Sequence, residues 1–150
     1  MTHHISWDFL DPSRAAIEAV RVYRSMRFIM ESTSFAEDQV RATMSGVGSP
    51  TLSGLPQGHD PRGREKRLAA GIDQLDILAE RHSRAEEYMA WFEPAWTQLT
   101  DGERYVLEAF YMGERAPMAE MTERLGVEEK SVYTRKDRAL KRLSLLLYGR

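Results

Sequence analysis

The apolar residues of this chain recur at helical spacing along almost its whole length. No stretch alternates apolar and polar residues over the length of a strand with a hairpin turn beside it. A connector rich in glycine and proline, SGVGSPTLSGLPQGHDPRG, separates two long helical stretches, and a third region contains three shorter ones. The pattern predicts an all-α fold, with a long antiparallel helical hairpin over residues 1–97, a linker at about 46–61, and a separate domain over residues 98–150.

The first long helix has a clear start, with Asp11 as N-cap followed directly by a proline. One apolar face follows, made of Ala16, Val20, Tyr23 and Met30. Ser34 and Glu37 match a second capping box further along. The pattern therefore leaves two alternatives open: one helix that continues to about Met44, or two pieces with a break near Thr33.

The second long helix carries a coiled-coil-like seam. Its seven positions alternate steps of four and three residues: Leu68, Ile72, Leu75, Ala79, His82, Glu86 and Met89. We predict that this helix ends before Pro94, because the residue before a proline disfavours helical backbone, and that His82 is a half-buried polar residue. Trp91 and Trp96 are expected to pack the hairpin against the following domain, whereas exposure of both would indicate a protein interface.

The C-terminal third is predicted to form three shorter helices. The first begins at a capping box of Thr100 and Glu103 and ends at Gly113, and the second runs from Pro117 to Gly126. Residues expected on the buried sides are Val106, Leu107, Phe110, Met118, Met121, Leu125, Val132, Ala139, Leu140, Leu143 and Leu147. Three short helices, the last two joined by a glycine-containing turn, are the outline of a helix-turn-helix.

Charge is distributed unevenly along the chain, whose net charge is -2. Residues 130–150 carry seven basic side chains and one acidic one, a net charge of +6, so the other 129 residues carry -8. A cationic end on an anionic body favours phosphate at one face of the protein. The chain has no cysteine, no apolar run near membrane-spanning length and no signal-peptide pattern, so we expect a soluble, cytoplasmic protein without membrane contact.

The stretch LGVEEKSVYTRKDRALKRL, preceded by LTDGERYVLEAFYMG, resembles the region-four DNA-binding domain of bacterial sigma factors in its L-G-V turn, internal valine and closing A-L-x-x-L. A long charged helix, a linker, a second long helix and then this motif, with SVY and RAL within it, resemble the small phage-encoded transcriptional regulators of the RinA and ArpU type. The resemblance implies a sigma-like, sequence-specific DNA-binding regulator of phage or prophage genes. It also implies double-stranded DNA and RNA polymerase as partners.

The last helix carries the candidate interface, because a recognition helix reads base edges near its N-terminus while flanking cations hold phosphates. We expect base contacts from Glu129, Lys130, Ser131, Tyr133 and Thr134, and phosphate contacts from Arg135, Lys136, Arg138, Lys141 and Arg142. Sigma region four commonly carries arginine where this chain has Glu129 and Tyr133, which argues against promoter recognition of the ordinary sigma kind. The carboxylates of Glu128 and Glu129 repel phosphate, so they lower general affinity and favour selectivity.

A single helix-turn-helix buries little surface on DNA, so a homodimer is expected, with the hairpin seam as its interface. Two alternatives stay open: a phage small terminase-like DNA-packaging protein, recognisable by a ring-like oligomer, and a protein-interaction module that no longer binds DNA. An enzyme has the least support. His59 and Asp60 lie in a Gly/Pro loop without a second ligand cluster, and His3 and His4 lie near the N-terminus, so no catalytic residue, metal site or cofactor is predicted.

Overall fold

A computed structural model describes residues 11–46 and 61–150. The described residues form five α-helices and no strand: α1 (Pro12–Met44), α2 (Pro61–Thr97), α3 (Asp101–Tyr111), α4 (Met118–Leu125) and α5 (Glu129–Tyr148). The all-α prediction is confirmed. Almost all of the predicted linker at 46–61 lies outside the described residues. Within the described ranges, every helix is too short or too polar to cross a membrane.

Helix α1 is continuous through Thr33, which decides between the two alternatives that the sequence left open. Its predicted N-cap is confirmed, because Asp11 Oδ1 accepts hydrogen bonds from the backbone N–H groups of Ser13 at 3.1 Å and Arg14 at 3.3 Å. The Thr33 side chain is buried, and its hydroxyl donates to the Ile29 carbonyl at 2.6 Å, one turn earlier. Because this hydroxyl already donates to a carbonyl within α1, it does not cap the start of a second helix.

Helix α2 continues past Pro94 to Thr97, so the prediction that it ends before this proline is wrong. A proline inside a helix costs about 3 kcal/mol, because it removes one backbone hydrogen bond and crowds the preceding turn. The turn that contains Pro94 also buries Ala95 and Trp96, which are 7% and 5% exposed. Their burial offsets the cost, and the helix closes where the Gln98 N–H donates to the Ala95 carbonyl at 3.2 Å.

The buried seam of α2 follows a different phase from the predicted one. Four predicted positions are half-buried, namely Leu68, Leu75, His82 and Met89, whereas Ile72, Ala79 and Glu86 are exposed. The buried residues between them lie one position earlier, at Gly71, Leu78 and Ala85. A Cβ atom on Gly71 would overlap the Met44 side chain, so the missing side chain allows this close approach of α1 and α2. Both phases contain apolar residues, and the close approach at Gly71 selects between them.

The described residues form two compact units. One contains residues 27–86, and the other contains residues 11–26 together with 87–150. The larger unit has one apolar core, which includes Val20 of α1, Phe92 of α2 and Leu143 of α5. The predicted division between residues 97 and 98 differs from this grouping, because the last turns of α2 share their core with the three short helices.

An aromatic cluster lies in the core of the larger unit, with Phe92 fully buried at its centre. The ring centroids of Tyr88, Tyr23 and Trp96 lie 5.2, 5.3 and 5.5 Å from that of Phe92. The Tyr88 hydroxyl donates to the Ala19 carbonyl of α1. Burial is the main reason that the pKa of the Tyr88 phenol is raised well above its ordinary value of 10, so this hydroxyl stays a donor.

The two tryptophans that flank Pro94 have different environments. Trp96 is in the core that α3 and α5 share, as predicted. Trp91 is 40% exposed, and its ring lies 5.7 Å from that of Tyr148 on α5. The predicted packing is therefore confirmed for Trp96, while Trp91 keeps part of its ring at the surface.

The start of α3 is tied to α5 by one carboxylate. The predicted capping box is confirmed, because the Glu103 N–H donates to Thr100 Oγ1 at 3.2 Å and the Thr100 N–H donates to Glu103 Oε2 at 2.9 Å. Arg142 Nη1 of α5 also donates to Glu103 Oε2 and Oε1, at 2.9 and 3.1 Å. Arg142 Nη2 donates to the Gln98 carbonyl at 3.0 Å, so this arginine links the residues that follow α2 to the start of α3.

Replacing Glu103 with alanine is expected to lower the free energy of unfolding by about 1–2 kcal/mol, since it removes one half of the capping box and the partner of Arg142. Glu103→Gln keeps an acceptor for the Thr100 N–H but loses the charge, so its stability should fall between those of wild type and Glu103→Ala. Urea denaturation followed by far-UV circular dichroism measures both. A Glu103→Ala protein as stable as wild type would show that this carboxylate does not hold α3.

Candidate nucleic-acid interface

Helix α5 packs against both α3 and α4. All of the residues predicted to face inward on these three helices are buried or half-buried, which confirms the predicted apolar faces. Val106, Leu107, Met121, Val132 and Leu143 are fully buried among them. Because this core holds one side of α5 in place, the side chains on the opposite side of the helix point in a fixed direction.

The turn between α4 and α5 consists of residues 126–128 and contains the glycine that the sequence predicted. Gly126 ends α4 in the left-handed region, at φ 64°, and its N–H donates to the Glu123 carbonyl at 3.3 Å. The Val127 N–H donates to the Thr122 carbonyl at 3.2 Å. Glu128 is the N-cap of α5 but its side chain makes no capping hydrogen bond, since a glutamate caps a helix less well than serine or threonine does.

The residues predicted to contact bases lie in the first two turns of α5. Glu129, Lys130 and Thr134 are exposed, Tyr133 is 37% exposed, and Ser131 is half-buried. The Thr134 hydroxyl donates to the Lys130 carbonyl at 3.1 Å, so only its acceptor lone pairs are available to a ligand. The structure thus presents four of the five side chains at the surface with Ser131 partly covered, while base contact itself stays a prediction.

Three of the residues predicted to contact phosphates are exposed cations: Arg135, Arg138 and Lys141. Within the described part of the chain, these three form no ion pair with an acidic group. Arg135 and Arg138 line a cleft of about 200 Å³ together with Thr100, Gly102 and Glu103 at the start of α3. Their positive charge is therefore open to an anion from solvent.

The other two predicted phosphate ligands already have protein partners. Arg142 is bound to Glu103 as described above, so a phosphate would have to compete with that carboxylate. Lys136 Nζ lies 2.7 Å from Asp137 Oδ1, and only 19% of the lysine side chain is exposed. These two residues contribute more to the packing of α5 and less to its free charge than the sequence indicated.

Sequence reasoning missed one cation of this surface, Arg115, which lies between α3 and α4. Its Nη2 donates to the Tyr133 hydroxyl at 2.8 Å, and its Cζ lies 4.5 Å from the ring centroid of Phe110 and 5.6 Å from that of Tyr133. Lys136 Nζ lies 5.5 Å from the same Phe110 centroid. No periodic pattern marks Arg115, because it lies outside the helices and meets α5 through a contact that spans 18 residues.

Among the described residues, no three His, Asp or Glu side chains are grouped so as to hold a metal ion. His82 is half-buried on α2, as the sequence predicted. His3, His4, His59 and Asp60 lie outside the described residues.

No protein-family model, curated protein or solved structure matches this chain. Its resemblance to sigma region four and to the RinA and ArpU regulators stays a prediction.

Proposed function

We propose that the protein is a sequence-specific DNA-binding regulator in which α4, the turn at Gly126 and α5 act as a helix-turn-helix. The observation that carries this proposal is the two-sided character of α5. Val132 and Leu143 anchor one side in the core, and the other side exposes Lys130 and Arg138. A helix held in this way can enter a major groove without losing its own packing.

The charge of α5 supports a polyanionic partner. The helix carries six basic and two acidic residues, within a chain whose net charge is -2. Duplex DNA carries about one negative charge per 1.7 Å of its axis, so a cationic helix on an anionic body is drawn to DNA in one orientation. Arg135, Arg138 and Lys141, which are exposed and form no ion pair with an acidic group among the described residues, supply the phosphate contacts.

The first turn of α5 supports selectivity. The exposed carboxylate of Glu129 repels phosphate but accepts a hydrogen bond from the amino group of cytosine. Lys130 beside it can donate to guanine. Control of phage or prophage genes and contact with RNA polymerase are the biological roles that the resemblance to RinA, ArpU and sigma region four implies.

Fluorescence anisotropy of labelled duplex DNA, titrated with protein at several KCl concentrations, tests the proposal. Wild type is expected to bind with a steep salt dependence. Lys130→Ala combined with Arg138→Ala should weaken binding at least about tenfold and lower the salt slope by about 1, because Arg138 no longer neutralises a phosphate and Lys130 no longer donates to a base.

The matched control is Arg64→Ala combined with Lys66→Ala, which removes the same charge from exposed positions on α2. This control should bind almost as wild type does. Equal losses in the two double variants would mean that net charge rather than the surface of α5 attracts DNA. Absence of wild-type binding even at low salt would contradict the proposed function.

The long helices are proposed to form the predicted antiparallel hairpin and to assemble a homodimer. Within one unit Tyr88 bonds to Ala19, and within the other Met44 packs against Gly71, so α1 and α2 contact each other in both. Phe28 and Phe35, seven residues apart on α1, are 65% and 68% exposed. Light scattering should give a dimer, whereas a ring-like oligomer would favour the small terminase-like alternative.

A protein-interaction module that no longer binds DNA is the second candidate. The observation in its favour is exposed apolar surface on the larger unit, where Trp91, Leu145 and Leu146 are 40%, 56% and 42% exposed. The anisotropy titration separates this candidate from the regulator, since it predicts no DNA binding at any salt concentration.

A further inference from the structure

We infer that Arg115 and Tyr133 form one two-donor site for a single phosphate group of duplex DNA, in which Arg115 also positions Tyr133. This inference rests on the proposed function and deepens it. It moves Tyr133 from the predicted base-contacting residues to the phosphate-contacting ones, and it adds a residue of the segment between α3 and α4 to the interface.

The segment that carries Arg115 is fixed against α3. The N–H of the neighbouring Ala116 donates to the Ala109 carbonyl at 2.9 Å. The Arg115 guanidinium then stacks on the ring of Phe110, and this ring meets the ring of Tyr133 edge-on with centroids 5.8 Å apart. A cation over an aromatic face contributes about 0.5–1 kcal/mol at an exposed site, so Arg115 has a preferred position before any ligand binds.

The hydrogen bond with Arg115 determines whether the Tyr133 hydroxyl can donate to a ligand or accept from it. An arginine can only donate, so the Tyr133 oxygen is the acceptor in the 2.8 Å contact with Arg115 Nη2. Among the described residues, no acceptor takes the phenolic proton in return. The Tyr133 O–H is therefore left to donate to a ligand, and the ligand atom must be an acceptor rather than a thymine methyl group.

The charge on Arg115 is not neutralised by the protein. The guanidinium has five N–H donors, of which one is bonded to Tyr133, and no carboxylate in the described part of the chain forms an ion pair with it. The residue is exposed. It therefore offers an anion a full positive charge together with free donors.

Phosphate fits this pair better than a base edge does. A phosphodiester presents two anionic oxygens, which match one cationic donor and one neutral donor held side by side. Recognition of guanine by arginine requires two parallel N–H groups in the plane of the base, while Nη2 of this guanidinium already donates to Tyr133. The pair should therefore fix the register of α5 on the backbone rather than read a base.

The pair formed by Arg115 and Tyr133 is tested by a double-mutant cycle in the same anisotropy titration. The probe is a pool of duplexes of random sequence. Arg115→Ala should weaken binding about tenfold and lower the salt slope by about 1. Tyr133→Phe keeps the ring on Phe110 and should weaken binding about fivefold with an unchanged slope, since it removes one neutral donor. Combining the two changes should weaken binding little more than Arg115→Ala alone, because Tyr133 then has no partner to hold it.

Arg64→Ala is the matched control, since it removes one exposed arginine of α2, a helix that the proposed interface does not include. This variant should bind as wild type does, and thermal unfolding of all variants checks that they fold. The inference is overturned if wild type binds but Arg115→Ala and Tyr133→Phe leave binding unchanged or weaken it by independent, additive amounts. The proposed function would then still stand. Absence of wild-type binding overturns both.

Discussion

Phe92→Ala is expected to lower the free energy of unfolding by about 3–5 kcal/mol, the range for truncation of a buried aromatic residue. The Phe92 side chain is fully buried, and the rings of Tyr23, Tyr88 and Trp96 lie 5.2–5.5 Å from it. Its removal leaves a cavity that helices α1 and α2 line together. Urea denaturation followed by tryptophan fluorescence measures the loss.

The control for this change is Ile77→Ala, which truncates a large apolar residue of α2 where it is 64% exposed. The control should change the free energy of unfolding by no more than about 0.5 kcal/mol. Equal costs at the two positions would contradict the placement of Phe92 at the centre of the core.

Leu143→Ala is the change with the second large expected effect, a loss of about 2–5 kcal/mol. Leu143 is fully buried on α5, in the core that this helix shares with α3 and α4. Leu145 lies two residues further along the same helix and is 56% exposed, so Leu145→Ala should cost less than about 1 kcal/mol. Urea denaturation of both variants gives the difference.

This pair of leucines also tests which side of α5 faces solvent. Two residues correspond to a rotation of about 200° around a helix. If Leu145→Ala were the costlier change, α5 would be turned with its cationic side towards the core, and the proposed interface would be wrong.

Local patterns in the sequence are enough to predict much of this fold. Asp11, Thr100 with Glu103, and Gly126 were recognised as caps because each acts on backbone groups within a few residues of itself. The inward faces of α3, α4 and α5 were recognised because their apolar residues have one helical phase. In these elements local preference and tertiary packing agree.

Packing between helices decided the features that the sequence left open or predicted wrongly. Helix α2 contains apolar residues in two phases, and Gly71 rather than Ile72 faces inward because it allows Met44 to approach. The helix passes through Pro94 because burial of Trp96 compensates for the lost hydrogen bond. Neither effect is visible within the window of residues that a pattern covers.

The candidate site also combines features that local patterns predict with features that depend on packing between helices. Exposure of Lys130 and Arg138 could be predicted from helical phase and is confirmed. The engagement of Arg142 with Glu103 joins residues 39 positions apart, and the contact of Arg115 with Tyr133 joins residues 18 positions apart. Such contacts depend on how the helices pack, so the sequence overstated the free charge of α5 and missed Arg115.

The claim that α5 binds DNA is tested most directly by nuclear magnetic resonance. The isotope-labelled full chain is titrated with duplex DNA of random sequence at low salt. We expect the backbone amide shifts to change chiefly in residues 129–138 and in the segment 113–117 that carries Arg115. Unchanged spectra at saturating DNA, or changes confined to α1 and α2, would contradict the proposal that this protein recognises DNA through α5.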